Sequence, residues 1–116
     1  MIKKINVITD GSGNFTWARP YKGRVHAIEV VKGTLSTPDI DVTDATYSKS
    51  FLSVDGVAAD TVYYPSQFLE AADGTTASLV GTSIKAAGPG ICMGILTVAI
   101  TGAGAHTKGR IHLLLD

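Results

Sequence analysis

β-branched residues dominate this sequence. Val, Ile and Thr supply 33 of the 116 residues, whereas Glu, Gln and Met, which favour helices, supply five. The 13 glycines and four prolines are spread along the chain, as expected for turns between many short strands. This composition predicts an all-β protein, an antiparallel β-sandwich or β-barrel with at most one short helix.

The alternation of apolar and polar residues places about seven strands. We predict them at residues 2–9, 24–32, 39–43, 50–54, 61–64, 91–101 and 110–115. Residues 24–32 are apolar on both faces, which favours the middle of a sheet, and residues 39–43 alternate as a half-exposed strand does. The last two strands form a hairpin in this interpretation, and residues 10–14 begin a loop. The one predicted helix, residues 66–72, has at most two turns.

Size and charge narrow the classes of function. A chain of this length folds as one domain, residues 1–116, and buries roughly 65% of the surface that its unfolded form exposes. Ten Lys and Arg balance ten Asp and Glu, so we expect neither a nucleic acid nor an anionic membrane as a partner. The longest apolar stretch, residues 91–105, is broken by glycines and is shorter than a membrane span. The N-terminus lacks the apolar region of a signal peptide, so none is predicted.

Metal and carboxylate chemistry is not indicated by the residues. The histidines His26, His106 and His112 have no spacing that matches a zinc motif, so structural roles are expected for them. Asp39 and Asp41 lie on one strand face, as calcium ligands can, but the glycine and glutamate of a calcium loop are missing. Neither a metal nor a cofactor is predicted.

Nucleophilic catalysis is not indicated either. Cys92 beside His26 or His112 would be the minimal pair for it, but Cys92 lies in an apolar stretch, where a thiol is usually an inert core residue. The two glutamates, Glu29 and Glu70, have no evident reason to meet in a cleft. We therefore predict a binding or structural protein with no catalytic residues.

Aromatic and C-terminal apolar residues are the candidates for an interaction surface. Aromatic side chains are large and amphipathic, and interfaces use them more than the rest of a protein surface does. Residues 110–115 are apolar on both faces, which requires either a central strand or contact with another subunit. The candidate interface residues are Trp17, Tyr21, Tyr63, Tyr64, Ile111 and Leu113.

Four segments, in this order, carry a resemblance to a known class of proteins. They are KGRVHAIEVVKGTL at residues 22–35, DIDVT at 39–43, VYYP at 62–65 and GRIHLLL at 109–115. The pattern resembles small virion-associated structural proteins of tailed bacteriophages. Those proteins tend to have a basic residue after the Tyr-Tyr-Pro element, where this chain has Ser66.

This resemblance implies a capsid decoration or head accessory protein. Its partners would be other copies of itself, in a homo-oligomer such as a trimer, and the major capsid protein. Its location would be the virion, after synthesis in the host cytoplasm. A carbohydrate- or receptor-binding β-sandwich module of a phage tail or fibre is the alternative, in which exposed aromatic residues would supply the binding energy.

Overall fold

The structure, a computed structural model, describes residues 1–68 and 87–116. These residues form ten strands and no helix. In chain order the strands are β1 (Ile2–Ile8), β2 (Phe15–Pro20), β3 (Gly23–Val31), β4 (Asp39–Asp44), β5 (Lys49–Val54), β6 (Thr61–Tyr63), β7 (Ser66–Phe68), β8 (Ala87–Cys92), β9 (Ile95–Thr101) and β10 (Lys108–Leu115). Within the described residues, no helix is long and apolar enough to cross a membrane.

Two antiparallel sheets pack face to face as a β-sandwich, which confirms the predicted fold class. The first sheet has the order β1-β10-β3-β8-β7, and β6 also pairs with β3. The second sheet has the order β2-β9-β4-β5. β3 and β10 are both internal strands, so the two segments that are apolar on both faces lie in the middle of the first sheet.

The core lies between the sheets and follows the alternation of the sequence. Every second residue of the central strands points inward, as in Ile40 and Val42 of β4, while Asp41 between them is exposed. The largest side chains with no exposed surface are Ile28, Leu35, Ile40, Leu96, Ile100, Ile111 and Leu113.

The segment predicted as one strand at residues 91–101 is two strands in different sheets. β8 pairs with β3 in the first sheet, and β9 pairs with β2 and β4 in the second. The chain changes sheet at Met93 and Gly94, whose N–H groups both donate to the carboxylate of Asp44. These two donors are bonded to a side chain, so they do not continue a strand ladder.

The predicted hairpin of residues 91–101 and 110–115 is also wrong. β9 lies in the second sheet, whereas β10 lies in the first, between β1 and β3. The loop between them is fixed by Thr9, whose hydroxyl donates to the Gly104 carbonyl oxygen at 2.7 Å and accepts from the Thr107 N–H at 2.8 Å. This contact places the start of β10 beside the end of β1.

Two further differences concern β2 and the predicted helix. β2 lies in a segment interpreted as a loop, and it forms because Phe15 and Trp17 pack against the core opposite Ile100 and Val98. A helix is predicted at residues 66–72, but its first three residues, Ser66–Phe68, form strand β7, which pairs with β8. The rest of that prediction lies outside the described residues.

Candidate interaction face

The outer face of the first sheet carries an apolar row across three strands. The register places Ile2 of β1 opposite Leu114 of β10, and Leu114 opposite Ala27 of β3. Ile2 is 61% exposed and Leu114 is 42% exposed, whereas Ala27 is 8% exposed. Exposed apolar side chains that adjoin one another across a sheet are typical of protein interaction sites.

Three more exposed apolar residues lie on the same face. Ile8 ends β1 and is 60% exposed, Val62 pairs with Glu29, and Ile91 pairs with Arg24. Together with Ile2 and Leu114, these residues form the exposed apolar part of the outer face of the first sheet. It is the largest collection of exposed apolar strand residues in the described part of the chain.

Charge is divided unequally between the two sheets. The strands of the first sheet carry five Lys or Arg and one carboxylate, Glu29. The strands of the second sheet carry two Lys or Arg and three aspartates. The strands of the first sheet therefore carry more cations than carboxylates although the chain is neutral, and one of these cations, Arg24, pairs with Asp116 beyond the end of β10.

A shallow depression of about 450 Å³ lies at one end of this face. Its lining is mostly apolar and is formed by residues 6–8, 31, 33–34 and 108–110, which include Lys108 and Arg110. The ion pairs found among the described residues involve neither Lys108 nor Arg110. Within residues 1–68 and 87–116, neither cation is therefore held by a carboxylate of the chain.

His112 and Glu29 form a polar pair in the middle of the face. His112 Nδ1 lies 2.7 Å from Glu29 Oε1, on adjacent central strands. His112 Nε2 is buried and has no hydrogen-bond partner among the described residues. The pair separates the apolar row from the depression.

A second polar cluster gathers around Asp116. Its carboxylate lies 3.2 Å from His26 Nε2 and 3.7 Å from Arg24 Nε. The hydrogen bond from His26, followed by the charge of Arg24, lowers the pKa of Asp116 below its usual value. The hydroxyl of Tyr21 donates to the Asp116 carbonyl oxygen at 2.8 Å, so this cluster fastens the end of β10 to the rest of the fold.

The structure places the predicted interface residues differently from one another. Trp17, Tyr21 and Tyr63 are partly buried and pack against the core, and Arg19 lies over the Trp17 ring at 5.8 Å from its centroid. Tyr64 is 76% exposed. Of these four aromatic side chains, the three other than Tyr64 therefore contribute to the packing of the chain itself.

Ile111 and Leu113 correct the prediction most clearly. Both are fully buried inside the sandwich, because β10 is flanked by β1 and β3 and its odd-numbered residues face the second sheet. They cannot contact another subunit without unfolding. The outward residue of the same strand is Leu114, which sequence reasoning missed because it could not assign a face to an entirely apolar strand.

Asp44 is a further residue that the sequence did not single out. It is fully buried, and its Oδ1 accepts from Thr46 and Tyr47 N–H groups while its Oδ2 accepts from Met93 and Gly94. Burial alone would raise the pKa of Asp44, but these four backbone donors outweigh it and the pKa is lowered. The carboxylate connects two turns through these four hydrogen bonds, and it is buried away from solvent.

The remaining candidate groups are separate from one another. Cys92 is fully buried, and this burial raises the pKa of its thiol. Asp39 accepts a hydrogen bond from the Gly56 N–H at 2.8 Å, while the neighbouring Asp41 is exposed. In residues 1–68 and 87–116 no three His, Cys, Asp or Glu side chains are grouped so as to hold a metal ion.

Comparison with known proteins adds no relative. No protein-family model, no curated protein and no solved structure matches this chain.

Proposed function

We propose that this protein is a structural protein of a tailed-phage virion, which decorates the outer capsid lattice as a homo-oligomer. The observation that carries the proposal is the outer face of the first sheet, with Ile2, Leu114 and Ile8 exposed among Lys and Arg residues. A surface of this composition is suited to another protein, since apolar side chains provide affinity and the cations provide orientation.

The identity of the partner rests on the resemblance described above. The four segments that resemble small virion proteins include most of β3, β4 and β10, which are internal strands of the two sheets. The proposed partner is therefore the major capsid protein, and the proposed location is the virion. A carboxylate-rich patch on the capsid surface would complement Lys108 and Arg110.

Binding to empty capsids tests this proposal. The probe is a capsid assembled from the major capsid protein of the phage that encodes this chain, and bound protein is measured by co-sedimentation. Leu114→Glu places a carboxylate in the apolar row and should reduce binding at least tenfold, which corresponds to about 1.4 kcal/mol. Circular dichroism should show an unchanged fold, since Leu114 points outward.

Thr16→Glu is the matched control. It introduces the same charge at an exposed position of β2, in the second sheet, and should leave capsid binding unchanged. If the wild-type protein does not bind capsids, the proposed function is wrong. Equal losses in both variants would show that the outer face of the first sheet is not the contact.

A carbohydrate- or receptor-binding module of a phage tail or fibre is the second candidate. Tyr64 favours it, because an aromatic ring that is 76% exposed can stack on a sugar. A Tyr64→Ala variant that loses binding to host cell-wall glycans, together with a location in the tail, would support this function over capsid decoration.

A further inference from the structure

The hydrogen bonds of β1 show which of its backbone groups are free. Met1 and Leu115 exchange two bonds, with N to O distances of 2.9 and 2.8 Å, and the Thr9 N–H donates to the Thr107 carbonyl oxygen at 2.9 Å. In an antiparallel pair such bonded residues alternate with non-bonded ones. The odd-numbered residues of β1 therefore bond to β10.

The even-numbered residues direct their backbone groups the other way. The N–H and C=O groups of Ile2, Lys4, Asn6 and Ile8 point away from β10, toward the open edge of the first sheet. β1 is the terminal strand of this sheet, and among the described residues it pairs with β10 alone. Four donors and four acceptors thus line one free edge.

This edge has few of the features that normally block pairing with another strand. β1 has seven residues, contains no proline, and runs beside β10 without a register shift. Natural edge strands are usually short, bulged or interrupted. Only Lys3 and Lys4 are charged, and Ile5 to Ile8 are not. A regular edge of this kind is suited to the addition of a strand.

We propose that β1 pairs with β1 of a second copy of this chain, antiparallel and about a twofold axis, so that the first sheets of two molecules become continuous. In the register that uses all four free residues, Ile2 lies opposite Ile8 of the second copy and Lys4 lies opposite its Asn6. Each such pair exchanges two hydrogen bonds, so about eight form in total.

The side chains select this register. Ile2 and Ile8 are both about 60% exposed in one molecule, and the pairing covers each with the other on the outer face. On the inner face Ile5 meets its own copy. A shift of two residues one way places Lys4 opposite Lys4, which is unfavourable, and a shift the other way leaves Ile2 without a partner.

This inference specifies the self-association contained in the proposed function. A twofold contact of this type is self-complementary and closes at two chains. It therefore replaces the expected trimer with a dimer, whose single continuous outer face carries both apolar rows.

A proline at the free edge is the first test. Asn6→Pro removes an N–H that points away from β10, so the fold should persist, while the bonds to the second copy are lost. Multi-angle light scattering should give twice 12.1 kDa for the wild type and 12.1 kDa for Asn6→Pro. Asn6→Thr retains the N–H and is the control, which should remain a dimer.

Disulfide trapping is the second test, and it does not depend on the proline variant folding. Cα atoms of bonded antiparallel partners lie about 5.5 Å apart, within the range that a disulfide spans. The double variant Ile2→Cys, Ile8→Cys should therefore form a covalent dimer on mild oxidation, whereas Ile2→Cys alone should not. Native Cys92 is buried and should not interfere.

Several results would overturn the inference. They are a wild-type monomer at micromolar concentration, an Asn6→Pro variant that folds and stays dimeric, and a double cysteine variant that does not cross-link. Cross-linking of Lys4→Cys alone would show the shifted register instead. A monomer that still binds capsids would refute this contact and the homo-oligomer but leave capsid decoration intact, and a dimer that binds no capsids would refute capsid decoration but leave this contact intact.

Discussion

Asp44 holds the turn at which the chain passes from the first sheet to the second. Its four backbone donors come from two separate turns, one after β4 and one between β8 and β9. Gly94 allows this approach, because a Cβ there would lie against the side chain of Thr46 and 2.9 Å from Asp44 Oδ1. A buried carboxylate with this many donors has a structural role, and its removal should lower the free energy of unfolding of the protein.

Asp44→Asn should lower the free energy of unfolding by about 2–3 kcal/mol, because its amide group would face two N–H donors in place of an acceptor. Urea denaturation measures this change. Asp41→Asn, at an exposed position on the same strand, is the control and should change stability by less than about 0.5 kcal/mol. Equal effects of the two variants would contradict the assigned role.

The stability difference between the wild type and Asp44→Asn should depend on pH, because folding lowers the pKa of Asp44. The contribution of a carboxylate whose pKa is lowered by folding is present above its unfolded pKa, which is near 3.8. It is lost as the pH falls through the lower pKa of the folded state. The stability difference between wild type and Asp44→Asn should therefore be constant above about pH 5 and shrink below the unfolded value.

Cys92 is expected to be inert. It is fully buried and the pKa of its thiol is raised, so the reactive thiolate is scarce and shielded. Cys92→Ala should fold normally with a stability loss of about 1 kcal/mol. Maleimide should label the native protein far more slowly than the urea-unfolded protein, and equal rates would show that the thiol is accessible.

At the scale of the elements, alternation was a good guide to strands but a poor guide to their partners. β4 could be predicted because its buried and exposed residues alternate, and β3 and β10 because they carry apolar residues on both faces. The division of residues 91–101 between two sheets could not be predicted, because it depends on Asp44, about 50 residues away in the chain. β2 was missed because Phe15 and Trp17 are followed by Arg19 and Pro20, which hide its alternation.

The residues of the candidate interaction face also depend on strand partners that local sequence does not specify. The exposure of Leu114 and the burial of Leu113 are decided by the sheet that lies above β10, which local sequence does not specify. The free edge of β1 likewise depends on strand order, since the same apolar pattern would suit an internal strand. The sequence led to the hypothesis of an interaction surface, which stays a prediction, but the exposed apolar residues of the first sheet could not be named from it.

β10 should be essential for folding. It joins β1 to β3, and Ile111, Leu113 and Leu115 fill the core from it. Deletion of residues 110–116 should abolish cooperative thermal unfolding. Single substitutions refine the test. Leu113→Ala should lower the free energy of unfolding by about 2–5 kcal/mol, whereas Leu114→Ala at the exposed neighbouring position should lower it by about 1 kcal/mol or less. Equal costs would contradict the assignment of faces.

At the scale of the whole molecule, a neutral chain is arranged as a cationic, partly apolar first sheet and a more acidic second sheet. The first sheet offers both an edge and a face, and these are perpendicular to each other. The proposed pairing along the edge would cover Ile2 and Ile8 and leave Leu114, Val62 and Ile91 exposed, so the proposed dimer could still contact a lattice through the rest of the face.

The number of copies of this protein in a purified virion tests the central claim most directly. Under the proposed function a tailed phage encodes the chain, and quantitative mass spectrometry of its virions would measure the protein against the major capsid protein. A decoration protein should be present in hundreds of copies, in a fixed ratio to the major capsid protein. A handful of copies would indicate a tail module, and absence from the virion would contradict a structural role in the particle.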